Sequence, residues 1–202
     1  MKKIVFFGDS NTYGYDPANW ETLRYPPDSR WTTLVGRALK GRAECVEAGM
    51  NGRRLPDLRY DRGVVLRMLD AAGPDGILCT MLGTNDVPAA VSSGEPAADL
   101  KMDRYLSFLC GHMKKENILI VAPPHIGGPK IADEMLSRYY EESCRMNLTF
   151  EALCAEYGLR FADAAKWGVE MCFDYIHFSK DGHRTFAEGM MRVLEFLSVR
   201  YR

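Results

Sequence analysis

The chain has 202 residues, 47% apolar and 26% charged, enough for one well-filled core and short for two. Its formal net charge is -1 with both signs interspersed, which excludes the basic face that a phosphate backbone requires. No run approaches the roughly 18 apolar residues of a membrane span, so a single domain over residues 1–202 is expected, with neither nucleic acid nor a membrane as partner.

The chain opens with two lysines and four apolar residues before Gly8, too little for the core of a signal peptide, so the mature protein is expected to begin at Met1 in the cytoplasm. Cys45, Cys79, Cys110, Cys144, Cys154 and Cys172 include no C-x-x-C pair and no tight histidine spacing. They read as reduced thiols, several on core faces, and not as a zinc site or a disulfide framework. No metal and no cofactor is expected.

Lys3 to Phe7 is an apolar run of β-branched and aromatic residues that halts at Gly8-Asp9-Ser10, which predicts a buried strand delivering a serine hydroxyl to the end of a sheet. Tyr15 to Arg30, rich in Pro, Asp and aromatics, reads as an ordered loop on the rim of whatever Ser10 serves. Its Trp20 to Pro27 part is large and apolar enough to be a lid or an interface with a second copy. Trp31, Leu34, Val35, Ala38 and Leu39 form a helical stripe stopped at Gly41.

Glu44 to Ala48 predicts a second strand running into the turn Gly49-Met50-Asn51-Gly52-Arg53-Arg54. Val64, Val65, Met68, Leu69 and Ala72 mark a helix closed by Gly73-Pro74. Gly76 to Leu82 is the most apolar stretch, as a central parallel strand should be, and it ends in Gly83-Thr84-Asn85-Asp86. A loop over Pro88 to Asp99 precedes a helix over Leu100 to Lys115 that packs Tyr105, Leu106 and Leu109. Ile118 to Ala122 is a fourth strand, followed by the loop His125 to Pro129.

A long helix from about Ala132 to Tyr157 carries Tyr139, Tyr140, Cys144, Leu148 and Cys154 and stops at Gly158. Leu159 to Ala162 is a short edge strand, and an irregular stretch then holds Asp174-Tyr175-Ile176-His177. Ser179 caps a last helix lined by Phe186, Met190, Val193, Leu194 and Leu197. Five strands alternating with helices predict an α/β fold, a three-layer αβα sandwich on a five-stranded parallel sheet. Right-handed crossovers put all strand ends on one edge, where Ser10, Gly52, Asn85 and the Asp174 to His177 loop can meet.

His177 is the candidate base for the Ser10 hydroxyl, and Asp174, three residues earlier, can orient its ring. His183 and His112 lie on helices, and His125 lies on a loop with no acid at close spacing. The backbone N–H of Ser10, the backbone N–H of Gly52 and the side-chain amide of Asn85 can supply an oxyanion hole, although Gly52 and Asn85 also suit plain turns. Asp9 and Asp86 flank turns, where capping is a more ordinary use than metal binding.

Gly8-Asp9-Ser10, Gly49-Met50-Asn51-Gly52, Gly83-Thr84-Asn85-Asp86 and Asp174-Tyr175-Ile176-His177 stand in order at strand ends or in the last loop. In these blocks the chain resembles the SGNH hydrolases of the GDSL esterase superfamily. Gly8 to Pro17, Arg30-Trp31 and Val121 to Pro124 resemble its small arylesterase and acyltransferase-like branch. The resemblance implies a flavodoxin-like SGNH fold, a Ser10, Asp174 and His177 triad, and an oxyanion hole from Ser10, Gly52 and Asn85. It also implies a serine esterase acting on small acyl esters through an acyl-enzyme, with water or another alcohol as acceptor.

Two departures stand out. Asn11 occupies the place of the name motif's leucine, and it is expected to lie outside the proton-transfer chain. Arg53-Arg54 follows Gly52, where small polar residues are more usual. These cations either bias the site toward anionic esters or are solvated or paired with Asp57. A carbohydrate O-deacetylase is the alternative within the same chemistry, and a non-catalytic binding protein on a dead hydrolase fold is the alternative of another class. No Gly-x-Ser-x-Gly elbow occurs, which disfavours the α/β-hydrolase fold.

Overall fold

The computed structural model describes residues 1–94, 99–128 and 131–199. Five parallel strands, β1 (Lys2–Gly8), β2 (Ala43–Gly49), β3 (Ile77–Met81), β4 (Ile118–Ala122) and β5 (Arg160–Asp163), form one sheet in the order β2-β1-β3-β4-β5. Along β1 the side chains alternate between two cores. Val5 and Phe7 face a layer built by α3 (Arg62–Ala72), α4 (Val87–Ser93), α5 (Asp99–Cys110) and α6 (Glu134–Tyr157). Ile4 and Phe6 face α2 (Trp31–Ala38) and α7 (Lys180–Val199). Strands covered on both faces are predominantly apolar; β3 and β4 are buried throughout, and the buried Thr80 hydroxyl of β3 is paired with Tyr105 Oη at 2.9 Å.

The predicted strands and the αβα layering are present. Boundaries moved where local chemistry decided them. A helix, α4, sits inside the predicted Pro88 to Asp99 loop, with Pro88 in its first turn and Gly94 closing it in a left-handed conformation. That loop's residues 95–98 and Pro129 of the His125 loop lie outside the described residues. The predicted Leu100 to Lys115 helix ends at Cys110, before Gly111, and a 3-10 turn over Lys115–Asn117 leads into β4. In α6, Asp133 is the N-cap, accepting from the N–H groups of Met135 and Leu136. That helix buries Met146, Phe150 and Cys154, while Leu148 is exposed. Ser179 caps α7 through Oγ, which accepts from Gly182 N at 2.9 Å. Nothing is described of the Leu197 side chain.

The register lines up the strand ends: Gly8 of β1 lies beside Gly49 of β2 on one side and Met81 of β3 on the other. Every segment that leaves these ends therefore emerges on one edge of the sheet.

Candidate functional site

β1 runs straight into a four-residue helix, α1 (Ser10–Tyr13). Asp9 is its N-cap, with Oδ1 accepting from Asn11 N at 2.9 Å, and Gly14 closes it by donating to the Ser10 carbonyl. The turn presses on the sheet so closely that two strand ends must be glycine. A Cβ on Gly8 would fall 1.9 Å from Thr12 Oγ1, and one on Gly49 would fall 2.2 Å from Tyr13 N. Ser10 is held 4% exposed at this point.

The loop between β5 and α7 reaches the same place. Asp174 Oδ1 accepts from the N–H groups of Ile176 and His177, both at 3.0 Å, so one carboxylate oxygen shapes the turn. Its Oδ2 lies 2.6 Å from His177 Nδ1, and His177 Nε2 lies 3.0 Å from Ser10 Oγ. Burial pushes the Asp174 carboxyl up, but the His177 ring and the two backbone N–H groups outweigh it and hold the pKa below its ordinary value. An ionised Asp174 places the ring proton on Nδ1, which leaves Nε2 to accept from the Ser10 hydroxyl. Tyr15 packs its ring against His177, with centroids 4.5 Å apart.

Gly52 sits in the turn after β2 with φ 73°, open to solvent. Asn85 lies in the turn after β3 and donates one amide hydrogen to the Arg53 carbonyl at 3.0 Å, which leaves the other hydrogen of Nδ2 available. Arg53 itself is a structural brace. Its guanidinium donates to the carbonyls of Gly8, at 2.7 Å, and Ala48, and it stacks on the Phe7 ring. Both bonds come from Nη1, so this nitrogen serves the strand ends and not a substrate. Asp57 pairs with Arg59 and with neither Arg53 nor Arg54; Arg54 is exposed.

Asp9 is fully buried, and burial pushes its carboxyl up to about 6 against the opposing pull of Asn11 N–H and His177. Asp86 accepts from Leu55 N at 2.8 Å and from Lys101 Nζ at 3.2 Å, which ties the turns after β2 and β3 to α5. The other histidines are placed elsewhere. His183 is buried in α7, where burial drives its pKa down to about 3, and its Nδ1 accepts from Trp31 N. His112 stacks on Phe108, and His125 lies 3.5 Å from Cys144 Sγ with both groups kept neutral by burial. All six cysteines are free thiols.

Sequence reasoning missed the part played by Asn11. Its Nδ2 donates to the Ile176 carbonyl at 3.1 Å, and its Oδ1 accepts from Phe178 N at 2.9 Å. Its polar side chain in an otherwise apolar place of the motif was the available signal.

The sequence profile of the GDSL-like lipase/acylhydrolase family matches residues 6–185. Solved structures superimpose along nearly the whole chain. A proposed arylesterase from Agrobacterium tumefaciens strain C58 is 27% identical with a TM-score of 0.79, covering 98% of this chain and 100% of that one. A carbohydrate acetylesterase family member from Sinorhizobium meliloti is 24% identical with a TM-score of 0.76, covering 98% and 99%. The aryl esterase of M. smegmatis is 23% identical with a TM-score of 0.77, covering 98% and 100%. The last two likenesses speak for the fold alone.

A curated relative, the uncharacterized lipoprotein YqeF of Bacillus subtilis strain 168, is 35% identical over 95 residues, 46% of this chain. The chain spans 35% of that relative's length. This match corrects the expectation of a cytoplasmic protein. A lipoprotein is held by a covalent lipid and needs no spanning helix. That no helix among the described residues is long and apolar enough to cross a membrane therefore fixes no compartment. Fold, block order and profile agree: the chain belongs to the GDSL-like lipase/acylhydrolase family of the SGNH superfamily, a family of serine-hydrolase-type esterases.

Proposed function

We propose that this chain hydrolyses small acyl esters, of the acetyl type, through an acyl-enzyme on Ser10. The observation that carries this reading is the hydrogen-bonded chain from Ser10 Oγ to His177 Nε2, 3.0 Å, and from His177 Nδ1 to Asp174 Oδ2, 2.6 Å. His177 takes the Ser10 proton as Oγ bonds to the acyl carbon, and Asp174 stabilises the imidazolium. His177 then returns the proton to the leaving alkoxide. Water repeats the sequence on the acyl-enzyme and releases the acid. The developing oxyanion is assigned to the N–H groups of Ser10 and Gly52 and to the remaining amide hydrogen of Asn85. A binding protein without chemistry would have no use for the Ser10 to Asp174 chain.

A second reading within this chemistry, a carbohydrate O-deacetylase, is favoured by exposed aromatic side chains on two of the loops beside the site. Trp20 is 84% exposed in the loop after α1, and Phe173 is 69% exposed beside Asp174. Such faces suit stacking on a sugar ring as well as on an aryl group.

Steady-state hydrolysis of p-nitrophenyl acetate tests the main reading. Ser10→Ala and His177→Ala should lose on the order of a millionfold in kcat, and Asp174→Asn less. Asn85→Ala should lose about a hundredfold to a thousandfold in kcat with little change in KM. Substantial activity in purified Ser10→Ala would refute the mechanism, and a destabilised Asn85→Ala with normal kcat would reduce Asn85 to a turn former. Relative rates on acetylated sugars and on aryl acetates separate the two readings.

A further inference from the structure

We propose that Asn11 is a positioning residue that sets the His177 imidazole against Ser10, a proposal that rests on the roles given to those two residues above. The Asn11 side chain is almost fully buried, at 2% exposure, and spends both of its polar atoms on the segment that carries the histidine. Nδ2 donates to the Ile176 carbonyl at 3.1 Å, and Oδ1 accepts from Phe178 N at 2.9 Å. These groups flank His177 on either side in the chain, so the amide clasps the histidine's backbone at two points.

Asn11 is itself fixed on its own side. Its N–H donates to Asp9 Oδ1 at 2.9 Å, and its carbonyl accepts from Trp31 Nε1 at 2.9 Å, with the Trp31 ring wedged between Phe6 and Phe186. It is also the residue bonded directly to Ser10. Nucleophile and base, far apart in sequence, are thus joined through one rigid side chain adjoining the nucleophile.

The other bonds of the His177 loop do different work. Asp174 Oδ1 and the Cys172 N–H to His177 carbonyl bond, 2.7 Å, set the loop's own shape, while Gly127 N donates to the Tyr175 carbonyl and ties the loop to the segment after β4. A leucine at position 11 could fill the space but could bind neither backbone group. Proton transfer from Ser10 depends on a Nε2 to Oγ distance of hydrogen-bond length. A misplacement of about 1 Å can cost on the order of a hundredfold in rate.

The test is a double-mutant cycle on p-nitrophenyl acetate: Asn11→Leu and His177→Ala, singly and together, with a thermal melt of each. Asn11→Leu is expected to lower kcat by about tenfold to a hundredfold with KM within about twofold, since the clasp acts on the chemical step and not on binding. In the His177→Ala background the same substitution is expected to change the residual rate by less than about twofold, because the group it positions is gone.

Should Asn11→Leu fail to fold, Asn11→Asp carries the same cycle; it has the same shape, keeps the acceptor for Phe178 N and replaces the donor to Ile176 with a second oxygen. An unchanged kcat in the folded variant, or an equal loss in both backgrounds, would overturn the proposal by showing a role in packing alone. Ser10→Ala run alongside keeps the two claims apart: if it stays active the esterase reading fails, whereas an inert Ser10→Ala with a fully active Asn11 variant refutes only the clasp.

Discussion

Asp9 brings a carboxyl into a fully buried position next to Ser10, at an electrostatic cost. Its ordinary pKa of 3.8 rises to about 6 in the folded protein, chiefly through burial. Between these values the folded chain binds more protons at Asp9 than the unfolded chain, so its contribution is full below about pH 3.8 and is lost as pH rises through about 6. The shift is equivalent to about 3 kcal/mol. Asp9→Asn keeps an acceptor for Asn11 N and removes the titration. Relative to wild type, the variant should therefore gain on the order of 3 kcal/mol in denaturant melts as pH is raised from about 3 to about 7. A difference that stays constant over that range would contradict an ionised, buried Asp9. That Ser10, Asp174 and His177 come into hydrogen-bond contact was legible in sequence, because residue type, local spacing and the shared sheet edge all pointed to it. Asn11 lies outside the proton-transfer chain, as expected, but its bonds to backbone groups 165 and 167 residues away are displayed by no local pattern.

At the scale of elements, the loop holding Asp174 and His177 carries a backbone cost in its middle. Tyr175 has φ 58°, the left-handed region that a side chain disfavours by roughly 1–2 kcal/mol. Closing both Asp174 Oδ1 bonds across so short a turn fixes this conformation. Glycine would meet it without steric cost, at the expense of about 0.5–1 kcal/mol of extra freedom in the unfolded chain. Tyr175→Gly should thus raise stability by about 0.5–1 kcal/mol in thermal or denaturant melts, and a clear loss would show that the tyrosine ring contributes packing of its own. β3 and β4 were readable because a strand buried on both faces is a near-continuous apolar run. The helix α4 was not, since seven residues with Pro88 at the start and Gly94 at the end carry the same letters as a loop. Arg53 was likewise opaque: its charge suited a substrate contact, solvation or a pair with Asp57, and only the strand ends beside it show that the carbonyls of Gly8 and Ala48 use it.

For the molecule as a whole, the strand order β2-β1-β3-β4-β5 explains why the site forms where it does. The chain winds outward from β1 in both directions, so connections leaving β1 and β3 pass to opposite faces and open a crevice at the carboxyl ends of those strands. Ser10 follows β1, the Asn85 turn follows β3, and the last loop before α7 brings His177 across to Ser10. The alternation of strands and helices made the layers legible, and with them the meeting of the His177 loop with Ser10 at the strand ends, whereas the bonds from Asn11 to that loop were not.

Covalent labelling decides whether Ser10 is an activated nucleophile. In a phosphonofluoridate, Ser10 Oγ would bond to phosphorus as fluoride leaves and the hydroxyl proton passes to His177 Nε2. Peptide mass mapping of the labelled full chain should find one adduct per molecule, on the peptide containing Ser10. Ser10→Ala should show none, and His177→Ala should label slower by about a hundredfold or more. A folded wild-type chain that leaves Ser10 unmodified, or a His177→Ala variant that labels Ser10 at the wild-type rate, would show that His177 does not activate Ser10 as a nucleophile.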